Sequence, residues 1–330
     1  MGFAATVISW FRQNGRDLPW RQTRDPYAIW LSEIILQQTR IEQGRPYWER
    51  FMKRWPTVEA LAAATEDEVL RQWQGLGYYS RARNLLTAAR QVTAQGGFPS
   101  TFKELLTLKG VGTYTAAAIA SIAFDEPVAV VDGNVYRVLA RYFGISTPIN
   151  STEGKKEFAL LAQSLLPPQE PAAYNQALMD FGAMQCTPAS PACHHCPLME
   201  TCSACQQGNV SALPVKLRTL KVKERHFSYI YIRYKGQTAL RRRPSGDIWQ
   251  GLYEPLLIED GVLDMEPVRL LRQNVKHVLT HRVIYADFWL WQPETLPALP
   301  DGYFWIDECD LSQYAVPRLV ELLLNEVNGG

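Results

Sequence analysis

The sequence contains no apolar run close to the ~20 residues that a membrane-spanning helix needs. No basic residue precedes the apolar part of its N-terminal segment, so a secretion signal is not predicted. Lys and Arg total 34 against 33 Asp and Glu, and the net charge of +1 gives no overall positive field to attract a polyanion. We therefore expect a cytoplasmic protein without membrane contact, in which any nucleic acid would be bound by local groups.

The chain has 330 residues, 47% of them hydrophobic, which is enough to build two domain cores. Apolar residues at helical spacing occupy the chain from its start to about residue 165, and another helix is predicted at 174–184. The pattern changes near residue 209, where an extended stretch is rich in Lys and Arg. We predict a helical domain over 1–208, a basic linker over 209–226 and an α+β domain over 227–330.

The second domain is predicted to combine strands with one helix. Two strands flank Lys235-Gly236, a dipeptide that indicates a hairpin-like turn. Strand-like runs follow at 253–259 and 281–292, and a helix is predicted at 266–275.

Four cysteines lie close together in a Pro-rich segment that has no Lys or Arg. Their spacing is C-x6-C-x2-C-x5-C, and the residues are Cys186, Cys193, Cys196 and Cys202. Thiolates crowded in this way are normally held by a metal centre, and the compact spacing favours a 4Fe–4S cluster. A zinc ion held by four thiolates and structural disulfides are the alternatives. Cys205 and Cys309 fall outside the pattern and are interpreted as free thiols.

A glycine-rich turn indicates where the first domain could bind a phosphate. Gly110-Val111-Gly112 follows an apolar residue and precedes a helix of small residues, the pattern of a helix-hairpin-helix element. Glycines let the backbone approach a phosphate closely, and amides at the next helix N-terminus can donate to it. A tight turn between two helices without any ligand is the alternative.

Two acids stand out by their apolar surroundings. Glu33 lies within IWLSEIIL, and burial there would raise its pKa and make it a candidate general acid. Asp132 follows the apolar run PVAVV and precedes a helical segment. The alternatives are a solvent-facing or Arg-paired helix residue for Glu33 and a helix N-cap for Asp132.

Taken together, these segments resemble the MutY-type adenine DNA glycosylases. The resemblance runs through residues 8–205 and includes LPWR, WLSEIILQQT, GLGYYSRARNL, LKGVGTYTAAAI, VVDGNVYRVL, NQALMDFGAMQC and the cysteine loop. It implies a multi-domain protein: an all-α helix-hairpin-helix glycosylase domain with a 4Fe–4S module, followed by an α+β Nudix-like domain. It also implies an enzyme that removes adenine mispaired with 8-oxoguanine or guanine from duplex DNA, acting as a nucleoid-associated monomer.

The resemblance assigns roles to individual residues. Glu33 would protonate the adenine ring, and Asp132 would stabilise the oxocarbenium ion that develops at the sugar. Asn134 and Tyr114 would order the reacting water and sugar. The DNA would be contacted by Trp20, Arg21 and Gln176 in the base pocket, by Gln38 and Tyr78 as wedges in the duplex, and by Gly110 and Gly112 at a phosphate.

Tyr114 separates this sequence from the endonuclease III-type enzymes. Those enzymes carry a lysine at this position, whose amine attacks the sugar and then cuts the strand. A phenol forms no Schiff base, so a monofunctional glycosylase is implied, and neither Lys155 nor Lys156 is expected to be catalytic. An endonuclease III-like lyase and a catalytically silent DNA-binding protein are the rival interpretations.

The second domain resembles the Nudix-like domain that reads 8-oxoguanine in the same family. Residues 254–275 lack the Glu-rich box that holds magnesium in active Nudix hydrolases, so pyrophosphate hydrolysis is not expected. The Phe-Ser-His recognition loop of the family occurs here as Leu279-Thr280-His281. Thr280 keeps a hydroxyl for the oxidised base, and His281 is retained, whereas the stacking aromatic is replaced by Leu279.

Overall fold

The structure is a computed structural model and describes residues 2–217, 222–261 and 268–329. The chain divides into two compact units. The first contains residues 1–62 and 87–218, and the second contains 63–86 and 219–330. The second unit therefore includes a piece of helical sequence that precedes the glycine-rich hairpin.

The helices follow the predicted all-α pattern up to the cysteine loop. In chain order they are α1 (Phe3–Asn14), α2 (Pro26–Leu36), α3 (Ile41–Arg54), α4 (Val58–Ala62), α5 (Glu66–Trp73), α6 (Ser80–Ala94), α7 (Phe102–Leu105), α8 (Thr113–Phe124), α9 (Gly133–Phe143), α10 (Thr152–Leu165), α11 (Pro171–Asp180), α12 (Ser203–Gln206) and α13 (Arg318–Gly329). A π-helical turn, Phe181–Gln185, continues directly from α11. Short 3-10 turns lie at Pro19–Arg21, Cys193–His195, Met199–Thr201, Val210–Ala212 and Glu308–Gln313. None of the helices in the described residues is long and apolar enough to cross a bilayer.

Local sequence explains where the helices that carry the candidate residues begin. Asp25 caps α2 by accepting a hydrogen bond of 3.0 Å from the Tyr27 amide, with Pro26 in the first turn. Asp132 caps α9, and Gly144 ends it in the left-handed conformation. Gly112 precedes α8 without a side-chain cap. The positions of these helix N-termini determine which side chains of each helix face the interior of the first unit.

One apolar core of the first unit is formed by faces of α1, α9, α10 and α11. Its largest members are Phe158, Tyr174 and Phe181, each at most 1% exposed. Partly buried cysteines of the cysteine loop pack against the same core. Helices α9 and α11, which carry Asn134 and Gln176, therefore pack on one continuous apolar core.

The second unit contains two sheets and is α+β, as predicted. Its strands are β1 (Lys223–Ile232), β2 (Gln237–Arg242), β3 (Tyr253–Glu254), β4 (Leu256–Glu259), β5 (Val268–Val278), β6 (Arg282–Trp291) and β7 (Tyr303–Asp307). One sheet has the order β4-β1-β6-β5 and the other β3-β2-β7. The pair β1 and β6 is parallel, with Lys223 opposite Arg282, and the other pairs are antiparallel. Apolar residues of α13, including Leu319 and Leu323, complete the core of this unit.

The predicted helix at 266–275 is wrong, because β5 occupies Val268–Val278. Two register shifts interrupt its pairing with β6, between Leu270 and Arg272 and between Arg272 and Val275. Such bulges break the two-residue alternation of a strand. The apolar residues Val268, Leu271 and Val275 consequently recur at three- and four-residue spacing, which imitates a helix. Residues 266 and 267 lie outside the described part of the chain.

Two other strand predictions need refinement. The turn at Lys235-Gly236 is present, and Tyr234 and Gln237 form a single bridge across it. The strands on either side then separate into different sheets, so they do not form the expected hairpin. The strand predicted at 253–259 is split at Pro255 into β3 and β4, because proline has no N–H for a strand ladder. β1 begins at Lys223, inside the stretch predicted as linker.

Candidate active site

A pocket of about 360 Å³ in the first unit gathers the candidate residues of the helical sequence. Its lining includes Trp20, Arg21, Glu33, Tyr114, Asp132, Asn134 and Gln176, all predicted from the sequence. These residues come from five separate elements of the unit. The pocket also includes Arg16 and Met179, which the sequence did not single out.

Glu33 projects from α2 into this pocket. The Tyr114 hydroxyl on α8 donates a hydrogen bond of 2.6 Å to Glu33 Oε2. Burial raises the pKa of Glu33 to about 7, the Tyr114 hydrogen bond opposes that rise, the Asp132 charge adds to it, and the Arg21 charge opposes it. A carboxyl group with this pKa is protonated in a useful fraction near neutrality, so it can give a proton to a bound base.

Asp132 is both an N-cap and a member of the pocket. Its Oδ1 accepts a hydrogen bond of 2.7 Å from the Val135 amide, and its Oδ2 accepts one of 2.8 Å from Asn134 Nδ2. Burial raises the pKa of Asp132, while these hydrogen bonds and the Arg137 charge pull it down. The capping alternative is therefore right about the hydrogen bond, and the carboxylate still faces the pocket.

Asn134 is oriented by a buried arginine that the sequence analysis missed. Arg137 Nη2 donates to Asn134 Oδ1 at 2.8 Å and to the Gly182 carbonyl at 2.6 Å. Its Nε donates at 2.7 Å to the carbonyl of Cys186, the first cysteine of the loop. A Cβ at Gly182 would lie 2.6 Å from Asn134 Cβ, so only glycine allows this approach. Hydrogen bonds thus run from the cysteine loop to Asp132.

One wall of the pocket contains Trp20 and Arg21, just before α2. Trp20 is 6% exposed and meets Trp48 edge to face, with ring centroids 5.5 Å apart. Arg21 is held by Asp180, which accepts from Arg21 Nη1 at 2.7 Å and from Nη2 at 2.8 Å. Arg16 pairs with the same carboxylate. The sequence signal available for Asp180 was a single acid at the end of an otherwise uncharged helix.

The predicted DNA contacts outside the pocket lie at exposed turns. Gln38 follows α2 with φ +57°, and Tyr78 precedes α6 with φ +46° and 49% exposure. A positive φ is uncommon for a non-glycine residue, and both Gln38 and Tyr78 are exposed. Gly110 has φ +77°, and a Cβ at Gly112 would meet no atom within 4 Å. The predicted glycine hairpin between α7 and α8 is therefore present and open.

Thr280 and His281 form the exposed turn between β5 and β6 in the second unit. The Thr280 hydroxyl shares a hydrogen bond of 2.8 Å with the hydroxyl of Tyr78, which belongs to the same unit. The His281 carbonyl accepts from the Lys223 amide at 3.0 Å. Tyr78, predicted to be a wedge in the duplex, and Thr280, predicted to contact the oxidised base, therefore lie on one surface of the second unit.

The cysteine loop encloses a second pocket in the first unit. Its lining includes the predicted set Cys186, Cys193, Cys196 and Cys202, together with Cys205. All six cysteines of the chain are free thiols, so the disulfide alternative finds no pair here. Within the described residues, no three His, Cys, Asp or Glu side chains are arranged to hold one metal ion.

Arg141 ties this loop to α9. Its guanidinium donates to the carbonyls of Thr187 at 2.7 Å and Pro188 at 3.0 Å and lies 3.4 Å from Cys186 Sγ. Burial, with a smaller contribution from neighbouring thiols, raises the pKa of Cys196 to about 11. A group of thiols that share one pocket needs positive charge to become thiolates together. The donor set and its surroundings fit a multi-iron cluster, whose thiolates bind different irons.

Comparison with known proteins matches both parts of the chain. A family model for HhH-GPD superfamily base excision DNA repair proteins matches residues 31–168, and a NUDIX domain model matches residues 228–326. These matches confirm the predicted order of a helix-hairpin-helix glycosylase fold and a Nudix-like fold. A solved thermostable thymine-DNA glycosylase is 34% identical, with a TM-score of 0.58 over 62% of this chain and 95% of that chain. An endonuclease III–DNA complex, 22% identical with a TM-score of 0.53, shares the fold over 62% of this chain and 94% of its own.

Two curated proteins similar to this chain are both named adenine DNA glycosylase. The adenine DNA glycosylase of Rattus norvegicus is 46% identical over 226 residues, which is 64% of this chain and 44% of that protein. The adenine DNA glycosylase of Buchnera aphidicola subsp. Schizaphis graminum is 34% identical over 254 residues, covering 76% of this chain and 73% of that protein. This chain thus spans less than half the length of the rat relative and about three quarters of the bacterial one.

Proposed function

Because this chain belongs to the family of the adenine DNA glycosylases, we propose that it removes adenine paired with 8-oxoguanine or guanine from duplex DNA. The observation that carries the proposal is the convergence of Glu33 and Asp132 on one pocket, with Tyr114 hydrogen-bonded to Glu33. Hydrolysis of an N-glycosidic bond needs an acid for the leaving base and a negative charge for the sugar cation. The carboxyl groups of Glu33 and Asp132 have different surroundings, which supports separate roles.

Glu33 is the proton donor in the proposed reaction. The adenine must leave the base stack to reach the pocket, and Trp20, Arg21 and Gln176 line the space that would receive it. Protonation of the ring by Glu33 makes the base a better leaving group. Asp132 then faces the sugar, and its bonds from Asn134 and the Val135 amide keep its carboxylate turned into the pocket.

The reaction stops at base removal in this proposal. Tyr114 occupies the position of the lyase nucleophile, and burial together with the charges of Glu33 and Asp132 raises its pKa far above neutrality. Among the described residues that line the pocket, none is a lysine. No amine is therefore placed to form a Schiff base with the abasic sugar. This supports a monofunctional glycosylase over the endonuclease III-like rival.

We further propose that Cys186, Cys193, Cys196 and Cys202 hold a 4Fe–4S cluster. When bound, the cluster would supply the positive charge that lets these thiols become thiolates and would fix the loop between α11 and α12. Zinc bound by the same four thiolates is the alternative, and metal analysis of the purified protein distinguishes the two. The loop leaves no open ligand position for substrate, so its proposed role is to shape the DNA-facing surface.

The second unit is proposed to read the base opposite the adenine. Thr280 and His281 lie exposed at one turn, beside the wedge residue Tyr78. Gln38, Gly110 and Gly112 are proposed to hold the duplex from the first unit. The partner is double-stranded DNA bound by a monomer, and the compartment is cytoplasmic. The division into 1–208, 209–226 and 227–330 remains a prediction of the sequence.

A single-turnover assay tests this proposal. The substrate is a duplex with one adenine opposite 8-oxoguanine, and each time point is divided into alkali-treated and untreated halves. Strand breaks only after alkali, absent from a duplex with cytosine in place of the adenine, are expected. Breaks without alkali would favour a lyase. Tight binding without any product, in the parent protein and in Glu33→Gln alike, would favour a silent DNA-binding protein.

A further inference from the structure

We infer that Asp180 is a positioning residue of the active site, which holds the Arg16 and Arg21 guanidinium groups on the wall of the base pocket. This inference rests on the proposed glycosylase function and adds a residue that does not touch the substrate. Asp180 is the last residue of α11 and is 0% exposed. Its task is to fix the two cations that do face the pocket.

Both carboxylate oxygens of Asp180 are used. Arg21 binds them in a two-pronged pair at 2.7 and 2.8 Å. Arg16 donates its backbone amide to Oδ2 at 3.1 Å and its Nε to Oδ1 at 3.0 Å, with a further contact from Nη2. Bidentate guanidinium pairs of this kind fix orientation as well as charge. The carboxylate therefore sets where both guanidinium planes lie.

The two arginines also depend on each other. Arg21 Nη1 donates to the Arg16 carbonyl at 3.0 Å. The pKa of Asp180 falls to about 2 because Arg21 and Arg16 outweigh the effect of its burial. A buried carboxylate is tolerated only with such partners. Two cations against one anion leave this wall with one excess positive charge.

The position of Asp180 links two parts of the wall that are far apart in sequence. Helix α11 also carries Gln176 and Met179, which line the pocket, whereas Arg16 and Arg21 lie before α2. The bonds to Asp180 use only part of the five N–H donors of each guanidinium. Asp180 thus sets the relative position of the Gln176 amide and two cationic donors on one surface that would meet the base.

Asp180 affects the proposed reaction through Arg21, whose guanidinium it positions. The Arg21 charge is close enough to Glu33 to favour its ionised form. Glu33 becomes an anion when it gives its proton to the base, so a fixed cation nearby stabilises that product state. Without Asp180, Arg21 would lose the bidentate partner that keeps it on this wall. The alternative is a purely structural role, in which Asp180 only anchors the junction between α11 and the π-helical turn.

A double-mutant cycle separates these roles. Asp180→Asn keeps the size of the side chain and removes its charge, and Arg21→Met removes the cation it holds. We expect Asp180→Asn to slow single-turnover adenine release about 30-fold or more in the parent background. In an Arg21→Met background, Asp180→Asn should lower the rate of adenine release about threefold or less, because the guanidinium that Asp180 positions is already absent. Equal losses in the two backgrounds would overturn the inference.

Glu170→Gln is the matched control for this cycle. Glu170 lies at the start of the same helix and pairs with exposed Arg12 at 2.6 Å, and its loss should leave the rate within about twofold. If Asp180→Asn is not recovered folded, Asp180→Glu keeps the charge but displaces the carboxylate, and it takes the place of Asp180→Asn in the cycle with Arg21→Met. If the parent protein releases no base, the proposed function fails by itself. The cycle is then measured as affinity for the same duplex, where additive effects would equally reject the positioning role.

Discussion

The Tyr114 hydroxyl lies 2.6 Å from Glu33 Oε2 and donates its proton toward that oxygen. The hydrogen bond favours the ionised carboxylate, whereas burial and the Asp132 charge favour the protonated acid. The balance leaves the pKa of Glu33 at about 7. The Tyr114 hydroxyl therefore limits how far the pKa of Glu33 rises.

Tyr114→Phe should move the pH dependence of adenine release to higher pH. The acid must be protonated to act, so the rate of the parent should fall as pH rises through about 7. Loss of the hydroxyl removes a bond to the ionised form, which raises the pKa of Glu33 further. Single-turnover rates from pH 5.5 to 9 measure the shift. Tyr142→Phe, whose hydroxyl is bonded to Thr201 at 3.1 Å, should leave the profile unchanged. A downward shift in Tyr114→Phe would contradict this assignment.

Glu33→Gln should stabilise the fold at alkaline pH. The pKa of Glu33 is about 7 in the folded state against 4.5 for the ordinary group, so the unfolded chain loses this proton first. The stability due to the bound proton is complete below pH ~4.5 and is lost as pH rises through about 7. Glutamine does not titrate. The free energy of unfolding of Glu33→Gln should therefore exceed that of the parent by on the order of 2–3 kcal/mol at pH 8 and equal it at pH 4. Urea unfolding at both values tests this, with Glu294→Gln on an exposed loop as control.

Much of the active site was predictable because its residues lie in local motifs. Glu33 and Asp132 are acids among apolar neighbours, and the resemblance assigned Tyr114, Asn134 and Gln176 to their surroundings. The structure brings these residues to one pocket. Asp180 could not be assigned in this way, because its partners Arg16 and Arg21 are about 160 residues away in sequence. An ion pair of that range leaves no periodic signal in either segment.

The errors in the second unit have a related origin. Strand β5 contains bulges, so its apolar residues recur as they would on a helix. The bulges depend on pairing with β6 and are not encoded by β5 alone. The hydrogen bond between Tyr78 and Thr280 likewise joins residues some 200 positions apart. Apart from β5, the elements predicted from local patterns were of the right kind, whereas pairing partners and long-range contacts were set by the folded chain.

Arg137→Lys should slow base release while the proposed cluster is retained. Arg137 donates to Asn134, Gly182 and the Cys186 carbonyl, and lysine can maintain at most part of this set. Asn134 would then hold Asp132 less firmly, and we expect about a tenfold to hundredfold lower single-turnover rate. Iron content should be unchanged, because Arg141 holds the loop independently. An unchanged rate would show that Asn134 needs no support from Arg137.

Replacement of single cysteines should distinguish the proposed ligands from their neighbour. Cys196→Ser should lower iron and the broad visible absorption of a 4Fe–4S protein, because each ligand holds a different iron. Cys205→Ser is the matched variant: Cys205 lines the same pocket but lies outside the ligand spacing, so iron should be retained. Iron and sulfide analysis of freshly purified protein gives the answer. Loss of iron from both variants would require Cys205 in the ligand set, and zinc in place of iron would reject the cluster.

Tyr78→Phe and Thr280→Val should each weaken the preference for 8-oxoguanine over guanine. Both changes keep the shape of the side chain and remove one partner of the 2.8 Å hydrogen bond. A hydrogen bond contributes about 1 kcal/mol, so the ratio of adenine release rates for the two duplexes should fall about fivefold in each variant. The double variant should be no worse than either single one, because both lose the same bond. Thr280→Ser keeps the hydroxyl and should retain the preference. If Thr280→Val slows both duplexes equally, the Thr280 hydroxyl orders the turn but does not read the lesion.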